Sequence, residues 1–253
     1  MDIFIHIPKC GGSTLNRILK NEYRKENIHL KVYDQLAEEN LSYEFDSVKK
    51  RLIHGHFSYG IHEKMNLNSI PRYFSMLRDP VDRIISHYFY VKSSPTHYLY
   101  KSVERLDLNL LDYALSDLSF ELDNGQVRMI AGIGEKTDKV TEKHLEKAIF
   151  NVENQFASVG ILEEYNLSLL LFKNKLNWSK VPVYKKINIT KSYSSREEIG
   201  VKAKEQIRER NKFDQRLYEY VSERLLREGK DFDKYKAKQR LFNILLKLTN
   251  KFL

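Results

Sequence analysis

The chain opens MDIFIHIPKCGGSTLNRILKN, and this stretch constrains the fold more than any other. Ile3 to Ile7 is a short apolar run, mostly β-branched or aromatic and stopped by Pro8, which reads as a buried strand. Behind it, Leu15, Ile18 and Leu19 fall on one face of a helix, with Ser13 or Thr14 as its expected cap. A strand that enters a helix through a double-glycine turn is the first half of a βα unit. It commits the chain to a sheet whose faces are covered by helices.

The pattern continues downstream. RLIHGHFSYG reads as a second short strand running into a loop, and PRYFSMLRDP as a strand ended by Asp-Pro. Asp79 is the expected cap there and Pro80 the first helical residue. Val81, Ile84, Ile85, Tyr88 and Phe89 then recur at helical spacing. Thr141 to Asn154 reads as a helix, FASVGIL as a buried strand and EEYNLSLLLFKNKL as the helix after it. VPVYKKINIT reads as extended. Arg196 to Gly229 reads as mostly helical, with Gly229 as its C-cap. Such alternation indicates a three-layer α/β fold around a mostly parallel sheet, in which ligands bind where strands end. Both loops of interest lie at such ends.

With 253 residues, no repeat and no low-complexity break, the expectation is a single domain with a helical C-terminal region from about residue 200 to 253. The single cysteine, Cys10, excludes an internal disulfide and a cysteine-based zinc site, and fits a reducing compartment. No signal peptide precedes the first strand, and no apolar run reaches the length of a membrane span. The expected location is therefore the cytoplasm, or the inner face of a membrane. The tail KAKQRLFNILLKLTNKFL is a basic amphipathic helix that fits best as a cover for the protein's own core. Peripheral membrane contact through residues 236–253 is the other reading. A net charge of +9 suits nucleic acid, anionic membranes, nucleotides or acidic polysaccharides without choosing among them.

The glycine turn can hold an anion on backbone amides at a helix N-terminus, with Lys9 as a cation and Ser13 and Thr14 as hydroxyl donors. An ordinary capped turn explains the same residues equally well. It is not a Walker A loop, whose lysine stands at the helix end, so a magnesium-bound triphosphate is disfavoured. In MLRDPVDRIISHYFY, Arg78 at a strand end and Ser86 in the next helix can grip a second phosphate. Taken alone, a salt bridge from Arg78 to Asp79 or Asp82 accounts for it better. His54 and His56 in LIHGHFSYG are either structural, half of a metal site that nothing nearby completes, or a general base.

Taken together, HIPKCGGSTL and LRDPVDRIISHYFY resemble the two nucleotide loops of the sulfotransferases that use 3′-phosphoadenosine 5′-phosphosulfate (PAPS). The similarity is greatest to the carbohydrate branch that includes heparan and dermatan 2-O-sulfotransferases. The resemblance implies a P-loop-like fold and metal-free, in-line transfer of a sulfuryl group from PAPS to a saccharide hydroxyl on an acidic glycan or glycolipid, releasing the nucleotide PAP. It assigns Lys9, Cys10, Gly11, Gly12, Ser13 and Thr14 to the 5′-phosphosulfate, and Arg78 and Ser86 to the 3′-phosphate. The heparan-type enzymes carry a similar His-Gly-His, which implies His56 as the base and His54 as a residue orienting substrate or His56. DNGQVRMIAG is similar to their Asn-x-Gln-x-Arg segment, which places Asn124, Gln126 and Arg128 near the acceptor. INITKSYSS resembles a late loop closing over the nucleotide, through Lys191 and Ser192. Cys10 departs from the pattern, since those enzymes often carry a hydroxyl there, and implies contact through the backbone. The competing readings are a metal-dependent P-loop kinase, for which a Walker lysine and an acidic magnesium ligand are wanting, and a non-catalytic binder of nucleic acid.

Overall fold

The computed structural model describes residues 1–31, 51–65, 70–133, 139–184 and 199–230, with Phe242 and residues 244–246 of the tail. Among the described residues five strands form one sheet: β1 (Asp2–Ile5), β2 (Ile28–Lys31), β3 (Leu52–Gly55), β4 (Arg72–Leu77) and β5 (Phe156–Ile161). Their order is β2-β3-β1-β4-β5 and every neighbouring pair is parallel. The helices are α1 (Gly12–Tyr23), α2 (Pro80–Ser93), α3 (Tyr100–Arg105), α4 (Leu110–Leu115), α5 (Gly125–Ala131), α6 (Glu142–Asn154), α7 (Tyr165–Lys175), α8 (Val201–Arg210) and α9 (Lys212–Lys230). The α/β expectation holds, with helices against a sheet whose described strands are all parallel.

The strand order places the site. The chain runs outward from β1 to β2 on one side and returns to β4 and β5 on the other, so β1 with its neighbours β3 and β4 is the switch point where ligands bind in open parallel sheets. The three loops singled out by sequence leave the carboxyl ends of these three adjacent strands.

Alternation within each strand divides the core. Phe4 stacks on Phe74 at 5.0 Å, and Phe74 meets Phe172 of α7 and Trp178. On the opposite face Tyr73 and Phe156 meet Tyr59, whose amide donates to the Met129 carbonyl of α5. At the far end of the sheet Asp2 accepts from Arg72 and from Tyr23, and Tyr23 in turn accepts from the Trp178 indole. A second apolar cluster lies off the sheet, with Val81, Ile84 and Ile85 of α2, Val103 of α3, Tyr113 of α4 and Ile207 of α8.

Several local expectations are corrected. Gly11, in the left-handed conformation, caps α1 in place of Ser13 or Thr14. Gly229 lies inside α9, where a side chain would come within 3.0 Å of Leu167. The C-terminal helical region is broken at Asn211 into α8 and α9. Strand β2 was not anticipated, and residues 181–184 join no strand. Lys191 and Ser192 lie outside the described residues. In the tail, Phe242 and Leu246 are buried in the main core one helical turn apart, so at these positions its apolar side covers the protein's own interior. No described helix is long and apolar enough to cross a membrane.

Candidate active site

The turn from β1 to α1 is shaped by two left-handed residues, Lys9 (φ 68°) and Gly11 (φ 79°). No side chain caps α1 and no acidic residue sits in its first turn. The first N–H groups of a helix have no partner within it, so this end offers donors and positive dipole to an anion. Gly12 is required by volume, since a Cβ there would fall 1.6 Å from Nε2 of His6. Cys10 is turned inward, its Sγ 3.7 Å from the Pro8 carbonyl and from Oε1 of Gln126. Burial pushes its thiol up to about 12, so it stays protonated and leaves only its backbone to the loop.

The turn from β4 to α2 is built differently. Asp79 accepts from the Asp82 amide at 2.9 Å and Pro80 takes the first helical position, as the sequence indicates. Arg78 is 7% exposed. Its Nη1 donates to the Lys9 carbonyl at 3.1 Å, and its Nη2 stands 3.8 Å from Asp82. That ion pair is the structural reading of Arg78 realised at long range, and Asp82 is half exposed. Nε of Arg78 is buried without a partner. Ser86 is half-buried in α2, one turn before Tyr90.

His56 follows β3 and lies against His6, with ring centroids 4.4 Å apart. Nδ1 of His56 donates to the His6 carbonyl at 2.7 Å. A carbonyl only accepts, so the neutral ring carries its hydrogen on Nδ1 and its lone pair on Nε2. Burial lowers the pKa of His56, opposed by Glu121 and by the His6 carbonyl, and it is a neutral base at pH 7. His6 is held near 3, by burial first and then by His56. His54 is within β3, buried, with Nδ1 unpartnered and its pKa lowered to about 4 by burial. The two histidines thus differ in place: His54 is inside the sheet, His56 past its edge. Lys9 is lowered to about 8, by burial and then by Arg78, and its Nζ sits 3.9 Å from the Tyr90 ring centroid.

The Asn-x-Gln-x-Arg residues are all buried and bonded to the scaffold. The Gln126 amide accepts from the Arg78 N–H at 3.0 Å and donates to the Arg78 carbonyl at 2.9 Å. Asn124 accepts from the amides of Phe213 and Asp214 and so caps α9. Asp214 returns the bond, accepting from the amides of Gln126 and Val127 at the start of α5. Arg128 holds Asp123 through backbone and carboxylate. Their geometry is that of a frame behind Arg78. The sequence reading missed His6, Tyr90 and the buried His87–Glu121 pair, 2.7 Å apart. Nothing in the local pattern marks His6, whose importance comes from residues 12 and 56.

An orphaned buried guanidinium nitrogen and a helix start with no side-chain cap, joined through the Lys9 carbonyl, suit a nucleotide with two phosphate groups. A family model for galactose-3-O-sulfotransferases matches residues 4–243. The chain belongs to that family. Among curated proteins, this galactose-3-O-sulfotransferase family member is 24% identical over 192 residues to heparan sulfate 2-O-sulfotransferase 1 of Gallus gallus. It is 23% identical over the same length to the Homo sapiens protein. In both cases the match covers 69% of this chain and 54% of the relative, so the chain spans about half the length of the curated relatives it matches. A solved mouse sulfotransferase in complex with PAP aligns with 77% of this chain and 61% of its own, at 14% identity and a TM-score of 0.37. Among the described residues no three His, Cys, Asp or Glu side chains are grouped to hold a metal ion.

Proposed function

We propose that the protein transfers a sulfuryl group from PAPS to a hydroxyl of a saccharide acceptor. The observation that carries this is the joining of the two strand-to-helix turns by the Arg78–Lys9 bond, with His56 set beside them in its Nε2-basic tautomer. PAPS supplies the sulfuryl group and a leaving phosphate. Backbone amides of Gly12, Ser13 and Thr14 and the Lys9 ammonium face the 5′ end, and Lys9 neutralises the charge that develops on the leaving oxygen. Arg78 and Ser86 hold the 3′-phosphate, the unpartnered Nε of Arg78 being the donor for it. Nε2 of His56 takes the proton of the acceptor hydroxyl as the new bond forms. Gln126 keeps Arg78 in place by bonding both of its backbone groups.

The finer acceptor class in this reading is an acidic glycan or glycolipid, which the +9 charge supports, and the location proposed for it is the cytoplasm. The test is transfer of radiolabelled sulfate from PAPS to a panel of saccharides, with His56→Ala as the control. That variant is expected to lose about a thousandfold in kcat while binding PAP with unchanged affinity by calorimetry. Near-normal turnover by it would remove His56 from the base role. Because the pKa of His56 is lowered, the acid limb of the wild-type pH–rate profile should lie below 6.5.

A further inference from the structure

Beside Lys9 the surface carries a run of exposed and half-buried aromatic rings that the donor reading above gives no role. Tyr90 is 45% exposed and lies under the Lys9 ammonium. Its ring meets His97 edge-on at 5.5 Å, and His97 stacks on Tyr98 at 4.7 Å with 29° between the planes. Tyr98, 65% exposed, shares a hydrogen bond with Ser119 at 2.8 Å, and the next residue, Phe120, is 40% exposed. The rings come from the end of α2, the loop directly after it and the turn before α5, the last joined to the others by the Tyr98–Ser119 bond.

We propose that the His97–Tyr98 stack, continued by Tyr90, is the acceptor subsite, on which the C–H face of a pyranose lies with its reacting hydroxyl turned toward Lys9 and His56. This rests on the sulfotransferase reading above. Three features select a sugar over other occupants. Rings with polar ends suit a ligand with one apolar face and a rim of hydroxyls. His97 accepts from the Leu99 amide through Nδ1 at 3.2 Å, so its neutral ring presents Nε2–H as a donor. The run also starts at the cation assigned to the leaving group. A further edge-on contact, 5.6 Å from His97 to His87, ties it to the His87–Glu121 pair, whose carboxylate also acts on His56.

The experiment compares wild type, Tyr98→Ala and Tyr98→Phe, using methyl β-galactoside and 2-O-desulfated heparin as acceptors. It reads kcat/KM for transfer, saturation-transfer NMR of each saccharide on the PAP-bound protein, and PAP affinity by calorimetry. Tyr98→Ala is expected to lose about tenfold in kcat/KM on whichever saccharide wild type uses, mainly through KM, with PAP affinity unchanged. Tyr98→Phe should stay within about threefold of wild type. Equal kcat/KM in Tyr98→Ala overturns the subsite, and so does a loss of PAP affinity, which would make the rings a platform for adenine. Wild-type protein that binds PAP but neither saccharide sinks the subsite and leaves the donor reading standing. Wild-type protein that does not bind PAP sinks the reading beneath it as well.

Discussion

The two strand-to-helix turns of this protein solve the same problem in opposite ways. At α1 the cap is a left-handed glycine with no side chain to offer, so the first amides of the helix remain available. At α2 the cap is Asp79, whose carboxylate already accepts from the Asp82 amide, and proline removes another N–H. In the proposed reading an anion at the first turn would be held by backbone, and at the second by side chains, Arg78 above all. Where a phosphate is gripped by the main chain, side-chain substitutions around it matter little. Where it is gripped by one guanidinium, that residue matters a great deal.

The largest effect belongs to the one side chain of the first turn that acts on the reaction. Lys9→Ala should lower kcat by about 10²- to 10³-fold while PAP affinity changes by less than about tenfold. In wild type, raising the pH through about 8 removes the Lys9 proton, so kcat/KM should fall there, and Lys9→Arg should move that fall to higher pH. A kcat/KM flat through pH 9 would take Lys9 out of the reaction. Next comes Arg78→Ala, expected to weaken PAP binding by about ten- to a hundredfold in calorimetry, since a charged hydrogen-bond donor contributes about 1.5–3 kcal/mol. Unchanged affinity would break the contrast at its stronger end. Asp79→Ala removes a cap and should lower stability by about 1 kcal/mol, read as about 2–4 °C in Tm, without touching PAP affinity. Smallest is Ser13→Ala, an exposed residue at the backbone-held end, where less than about threefold in PAP affinity is expected. If Ser13→Ala proved as damaging as Arg78→Ala, the first turn would be a side-chain site after all.

What could be read from the sequence, and what could not, follows the same division between local and distant contacts. The Asp79–Pro80 start of α2 was legible because cap and capped amide are three residues apart. The βα alternation was legible because burial repeats with a fixed period within each element. The cap of α1 was misread, because a hydroxyl residue beside two glycines favours a side-chain cap on paper. The demand for Gly12 comes from His6, a ring whose position only the strand's path reveals. Family resemblance singled out Asn124 and Gln126, but their bonds reach residues about 90 and 50 positions away, which no local window contains. The exposed ring run escaped notice for a different reason: its ring contacts are local, from Tyr90 to Tyr98, but nothing in the residue types tells an exposed tyrosine from a core one.

The mutual capping of α5 and α9 bears on how this protein could be shortened. Asp214 fixes the start of α5, α5 carries Gln126, and Gln126 holds both backbone groups of Arg78. Residues beyond 210 therefore reach Arg78 by two successive hydrogen-bonded steps, although none of them lies near it in the chain. A fragment ending near residue 200 would retain every motif recognisable in the sequence and still lack the lever that sets Arg78. In the proposed reading the helical C-terminal region is for that reason part of what positions the donor site, through Asp214 and Gln126.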